Sequence, residues 1–255
     1  MELNHKTFGA GEPIIILHGL FGTLDNWQTV AKKLAEHYMV YIVDQRNHGR
    51  SAHVEGQNYK LMAEDLADFM EDNWMHNAHI IGHSMGGKTA MQFAADYPDM
   101  LNKLVVVDIA PKAYEGGHQT IFDALLSVDM ETVQTRKEVE EQLSKYIDDA
   151  GVRLFLMKNL SRKKEGGFQW KMNLQEIYIN YSNILDNIEM EDSVRNKALF
   201  INGGKSNYVN EADQIEIQKL FPAASFETIE NAGHWVHAEQ PKALIEHVLK
   251  FLSQQ

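Results

Sequence analysis

The chain has 255 residues, 44% of them hydrophobic, enough to bury the core of one α/β domain. Its 24 Lys and Arg against 36 Asp and Glu leave a net charge of −12, which argues against nucleic acid or an anionic membrane as its main partner and favours a small neutral or weakly charged substrate. With no cysteine, disulfides, thiol catalysis and thiolate metal sites are excluded.

Met1 to Thr7 alternates weakly and reads as a first strand, closed by the turn Gly9-Ala10-Gly11-Glu12-Pro13. The start of the chain lacks an apolar signal core, and the longest apolar runs, such as Tyr38 to Val43, are strand-sized, so a soluble cytoplasmic protein is expected. Ile14 to Leu17 is an unbroken aliphatic run, the mark of a strand buried on both faces. Trp27, Val30, Ala31 and Leu34 recur at helical spacing, the run Tyr38 to Val43 ends at Asp44, and Met62, Leu66, Phe69 and Met70 mark a second helix. His79 to Ile81 and Leu104 to Val107 predict strands around a helix over Lys88 to Tyr97; Ala198 to Ile201 and Phe226 to Ile229 supply the last pair. This alternation predicts an open, doubly wound, mostly parallel sheet.

Between Pro111 and about Met190 the rhythm fails. No aliphatic strand appears there, and Ile121, Leu125 and Val128, then Val139, Leu143 and Ile147, then Leu154, Met157 and Leu160 predict amphipathic helices. The division is therefore a core of residues 1–110 and 191–255 carrying a helical lid at 111–190. Arg162-Lys163-Lys164 reads as a solvated loop with Gly166-Gly167 as its turn. Phe155, Phe168, Trp170, Tyr178 and Tyr181 are aromatics able to line an apolar pocket, although most belong to packing.

Gly82-His83-Ser84-Met85-Gly86-Gly87-Lys88-Thr89 carries two motifs at once. Gly82-x-Ser84-x-Gly86 is the G-x-S-x-G of a nucleophile elbow, and Gly82 with Gly87-Lys88-Thr89 also satisfies the phosphate-binding loop G-x-x-x-x-G-K-[ST]. Leu104 to Asp108 even resembles the strand and aspartate that hold magnesium in nucleotide-binding proteins. Against that reading, bulky His83 and Met85 occupy positions where a backbone wrapping phosphates prefers glycine.

The elbow reading absorbs further features in chain order. The strand Ile14 to Leu17 runs into His18-Gly19-Leu20-Phe21-Gly22, a turn from which such folds recruit an oxyanion donor, here the Leu20 amide. The Met85 amide, at a helix start directly after the serine, is the second donor. Gly233-His234-Trp235 follows the final strand, where the base belongs in the order serine, acid, histidine. His18 and His83 are expected to bond the backbone, and the spaced pairs His234/His237 and His76/His79 lack a third ligand, so neither is read as a metal site.

The acid departs from the usual pattern. After Ala198 to Ile201 an aspartate is expected, but the turn reads Gly203-Gly204-Lys205-Ser206, and serine carries no charge to stabilise an imidazolium. Glu211 and Asp213 belong to the next helix start, whereas Asp108 ends the strand beside the nucleophile's and is the predicted acid. Capping of the Ile109-Ala110-Pro111 turn is the structural alternative for Asp108.

These segments, together with Asp44-x-Arg46-Asn47-His48-Gly49-x-Ser51, Val107-Asp108-Ile109-Ala110-Pro111 and Gly233 to Glu239, resemble the α/β-hydrolase superfamily and, within it, the bacterial YbfF-type esterases. The resemblance implies an esterase or thioesterase acting on acyl esters, including acyl-CoA, with an acid after the sixth strand and a serine in the usual acid position, as Asp108 and Ser206 provide. The expected site is Ser84, Asp108 and His234, with Leu20 and Met85 amides for the oxyanion and Phe21, Ser206 and Trp235 lining the pocket. Such chemistry needs no cofactor or metal. Carbon–carbon hydrolysis or lysis by the same constellation, a ligand receptor that retains it, and nucleotide binding are the rival functions. The motifs do not address oligomeric state.

Overall fold

A computed structural model describes residues 1–254. The chain runs β1 (His5–Gly9), β2 (Pro13–Leu17), α1 (Gln28–Leu34), β3 (Met39–Val43), α2 (Tyr59–Asp72), β4 (Ala78–His83), α3 (Met85–Asp96) and β5 (Leu101–Val107). Then follow α4 (Gln119–Ser127), α5 (Arg136–Leu143), α6 (Ala150–Met157), β6 (Leu160–Arg162), β7 (Phe168–Trp170), α7 (Leu174–Ile179) and α8 (Tyr181–Leu185). The chain closes with β8 (Lys197–Gly203), α9 (Glu211–Leu220), β9 (Ala224–Ile229), α10 (Val236–Glu239) and α11 (Pro241–Leu252). None of the described helices is long and apolar enough to cross a membrane.

Seven strands form one sheet in the order β1-β3-β2-β4-β5-β8-β9, parallel except for β1, which pairs antiparallel with β3. This is the open, mostly parallel α/β sheet that the alternation of strands and helices predicts. The aliphatic runs are what a sheet covered on both faces requires, and strand periodicity divides each run between two cores. Ile15 and Leu17, Ile80, Leu104 and Val106, and Phe200 face α2 and α3. Their sequence neighbours Ile14 and Ile16, Ile81, Val105 and Val107, and Leu199 and Ile201 face α1 and α11. A one-residue slip would exchange the two sets, so the register is firmly specified.

The pairings Leu17↔Gly82, His83↔Val107 and Val107↔Ile201 bring the carboxyl ends of β2, β4, β5 and β8 to one edge. In such sheets that edge is where ligands bind. The first strand starts at His5 rather than Met1, since Leu3 is buried in the core layer that faces α2 and α3 instead of pairing with β3.

The insertion departs from expectation between Leu160 and Trp170. Leu160, expected to continue a helical face, belongs to the antiparallel hairpin β6-β7, and Arg162 is its last paired residue rather than loop. The helix ends before Leu160, and Gly166 and Gly167 adopt φ of 101° and 77°, values that favour glycine and make the hairpin turn. The strands are only three residues each, too short to produce a readable alternation.

Candidate active site

Ser84 stands alone between β4 and α3 with φ 52° and ψ −121°, a conformation that costs a non-glycine residue strain. Its amide donates to the Val107 carbonyl (3.1 Å), and its carbonyl accepts the Gly87 and Lys88 amides that start the helix. The turn is tight because its glycines permit backbone contact. A Cβ on Gly82 would lie 2.2 Å from the Gly86 carbonyl oxygen, and one on Gly86 would lie 2.5 Å from that of Leu17. A loop closed on itself in this way leaves no cradle for phosphates. Lys88, moreover, turns away from the loop and donates to the carbonyls of Asp186 and Leu185 (3.4 Å for the latter), so the nucleotide-binding geometry is absent at this motif.

Asp108 ends β5 with φ 54° and is engaged by three donors. The Gly203 amide reaches Oδ1 (2.9 Å), and Oδ2 accepts from the Ser206 hydroxyl (2.5 Å) and His234 Nδ1 (2.7 Å). The other imidazole nitrogen, Nε2, lies 3.0 Å from Ser84 Oγ. With Nδ1 donating to the carboxylate, Nε2 is left as an acceptor for the serine proton. The three residues proposed from sequence thus form one hydrogen-bonded chain.

Two further contacts hold His234 in place. Tyr208 stacks on the His234 ring at 3.8 Å and 14°, and the His234 carbonyl accepts a hydrogen bond from His83 Nε2 (2.8 Å). His83 is held well below the usual histidine range by burial and by the neighbouring His234 and His237, so it serves as a neutral donor. His237 lies stacked on Trp27 at 4.5 Å, pushed down to about 3 chiefly by burial; His79 faces Glu12 at 3.3 Å.

The Gly19–Gly22 turn lies against the elbow, for a Cβ on Gly19 would sit 3.2 Å from that of Ser84. His18 Nδ1 donates to the Gly19 carbonyl (2.8 Å) while Nε2 accepts the Gln45 amide (3.1 Å). His48 Nδ1 donates to the Arg46 carbonyl (2.9 Å) and Nε2 accepts the Phe21 amide (3.3 Å). Both rings need the neutral form for this, and burial lowers them to about 4 and about 3. Asp44 accepts the Leu24 and Arg50 amides (2.7 and 2.9 Å), and Arg46 pairs with buried Asp65. The Asp44–Ser51 motif is therefore the scaffold of the turn that presents Leu20.

Two cavities meet at Ser84, Leu20 and His118. The larger, about 230 Å³, is lined by Met85, Tyr59, Tyr114, Tyr181 and Lys88 among others; the smaller, about 50 Å³, by Phe21, Phe155, Trp235 and His234. Phe21 and Trp235 therefore line the smaller chamber, as does Phe155 from the insertion. Ser206 corrects the expectation placed on it: it lines neither chamber, because its hydroxyl is turned into the Asp108 carboxylate. Sequence reasoning missed Tyr59, Tyr114, His118, Lys88 and Tyr208. Each sits outside the catalytic motifs or, for Lys88, inside one that gave it another role; only the fold brings them together.

Residues 12–241 match the family model described as alpha/beta hydrolase fold. The chain is 37% identical to esterase YbfF of Escherichia coli over 99% of this chain and 100% of that protein. It is also 37% identical to the mouse sn-1-specific diacylglycerol lipase ABHD11, over 94% of this chain and 80% of that protein. A solved marine microorganism esterase superposes with a TM-score of 0.96 at 46% identity, covering 98% of this chain and 99% of the other. Family model, relatives and elbow geometry agree: the chain belongs to the α/β-hydrolase family.

Proposed function

We propose that the chain is a carboxylic ester hydrolase that works through Ser84, His234 and Asp108, on small to medium acyl esters or thioesters, acyl-CoA included. The observation that carries this reading is the unbroken chain from Ser84 Oγ to His234 (3.0 Å) to Asp108 (2.7 Å). Ser84 Oγ attacks the acyl carbonyl carbon while its proton passes to His234 Nε2. Asp108 holds the ring by Nδ1 and stabilises the imidazolium. The oxyanion of the tetrahedral intermediate is held by the amides of Leu20 and Met85, both at the wall of the larger chamber beside Ser84. Met85 opens α3, where amides have no partner one turn back and the helix end is positive.

The imidazolium then protonates the leaving alcohol or thiol, which departs and leaves an acyl-serine. Water attacks that ester, its proton taken by His234, and the free acid is released with Ser84 restored. Residues 111–190 act as a lid, contributing Tyr114, His118, Phe155 and Tyr181 to the chamber walls.

Burst kinetics with p-nitrophenyl butyrate and labelling by a fluorophosphonate test the reading. Wild-type protein is expected to release p-nitrophenol in a burst and to be labelled on Ser84; Ser84→Ala is expected to lose both. Near wild-type turnover in Ser84→Ala overturns it.

A further inference from the structure

Lys88 is 1% exposed, yet its ammonium has no carboxylate within ion-pairing distance among the described residues. It donates to two carbonyls, of Asp186 and Leu185, on the segment that leaves α8. Its remaining surroundings are the ring faces of Tyr59 and Tyr114, with centroids 5.1 and 5.0 Å from Nζ. Those faces are held in place: Tyr59 donates its hydroxyl to the Ile184 carbonyl, and Tyr114 donates to the Tyr208 carbonyl while accepting the Ala110 amide. Electron-rich ring faces and carbonyl oxygens select a cation. Merely tying Asp186 to α3 would not need a charge, and a buried charge without a counterion is costly.

Lys88 also lines the larger chamber with Ser84, one helical turn away on the same face of α3. The rest of that wall is largely apolar: Leu20, Ile109, Ile184, Leu185 and the tyrosine rings. An ammonium with three donors has one left after the two carbonyls. A carboxylate entering this chamber would meet a cation without a carboxylate partner against a largely apolar wall, where a charge-assisted hydrogen bond gains strength.

We propose that Lys88 makes the larger chamber a subsite for a short acyl group that ends in a carboxylate, so that half-esters or half-thioesters of dicarboxylic acids are preferred substrates. The inference rests on the ester-hydrolase reading and names the substrate class of that site. The acyl carbonyl is presented to Ser84 and the distal carboxylate to Lys88 Nζ, with the chain between lying along the apolar wall. Glu115, on the loop after β5, lines the same chamber from an exposed position, where solvent screens its charge.

The test is hydrolysis of monoethyl glutarate against ethyl pentanoate, whose acyl chains have equal length. The wild-type kcat/KM ratio is expected to favour the half-ester, and Lys88→Met is expected to lower that ratio about tenfold or more, the loss of one charge-assisted hydrogen bond. A wild-type enzyme that hydrolyses both without favouring the half-ester overturns the proposal, whether or not the variant folds. An unchanged ratio in a folded Lys88→Met does so too and makes Lys88 a tether for Asp186. Failure to hydrolyse either ester, together with no fluorophosphonate labelling of Ser84, would instead strike the underlying hydrolase reading.

Discussion

The Ser206 hydroxyl lies 2.5 Å from Asp108 Oδ2, the same oxygen that accepts from His234. The serine in the turn after β8 therefore serves the carboxylate delivered from β5, and the two strands contribute to one acid. Charge resides on Asp108 alone, so the two positions are expected to respond very differently. Asp108→Asn should lower turnover by about 10⁴, as loss of the charge and of the ring's orientation does in such triads. Ser206→Ala removes one of three donors and should cost about tenfold. Steady-state kinetics on one ester checks both, and equal losses would remove the acid role from Asp108.

The parts of this arrangement that could be read in the sequence are those in which one residue type at one position implies one conformation. Aliphatic runs ending in His18-Gly19, Gly82-x-Ser84-x-Gly86 and Asp108 mark strand ends at one edge, and the parallel sheet follows from their alternation with helices. Ser206 was legible as a missing charge but not as a donor, because its direction is set by the β5-β8 register. Tyr208, packed on His234, has no motif; stacking at 3.8 Å depends on the path of the turn after β8. The β6-β7 hairpin was hidden by its length, and Lys88 by a motif that explains it wrongly. Its role depends on Tyr59, Tyr114 and Asp186, three segments that meet only in the folded chain.

The elbow depends on the absence of side chains at its crossing. A Cβ on Gly82 would meet the Gly86 carbonyl oxygen at 2.2 Å and the Gly87 Cα at 2.7 Å, both main-chain atoms that cannot swing aside. Gly82→Ala should therefore destabilise the protein by about 3 kcal/mol or more, toward the high end for overpacking. A Cβ on Gly117 meets nothing within 4 Å, and Gly117→Ala should stay within about 0.5 kcal/mol of wild type. Urea denaturation distinguishes them; similar midpoints would mean that the elbow is looser than these contacts require.

Buried neutral histidines make stability acid-sensitive. His18 is lowered to about 4, and His48 and His237 to about 3, all mainly by burial. Below about pH 6.5 the unfolded chain takes up protons that the folded chain refuses until these lower values, so stability is lost as pH falls from about 6.5 towards 4. Each group contributes ~1.4 kcal/mol per pH unit and three give ~4 kcal/mol per unit, enough to unfold a typical domain near pH 5. Urea midpoints measured from pH 7.5 downward should fall steeply below about 6.5. A flat profile to pH 5 would show that these rings accept protons within the fold.

Lys88 gives substrate preference its own pH dependence. Burial lowers its ammonium to about 7, with the Asp186 carboxylate acting in the opposite direction. Tyr59 and Tyr114, whose ring faces flank Nζ, are raised above the usual tyrosine range by burial and stay neutral throughout; Glu115 and His118 also line the chamber. A carboxylate binds the ammonium and gains little from the neutral amine, so the half-ester should lose its advantage as pH rises above about 7. Dividing kcat/KM for monoethyl glutarate by that for ethyl pentanoate cancels the pH dependence of the chemical steps that both esters share. In wild-type protein the quotient should fall by up to about tenfold per pH unit above about 7, the limit for a single required proton. In Lys88→Met it should be low and flat. A quotient that is flat in the wild type would mean that the distal carboxylate does not sense this ammonium.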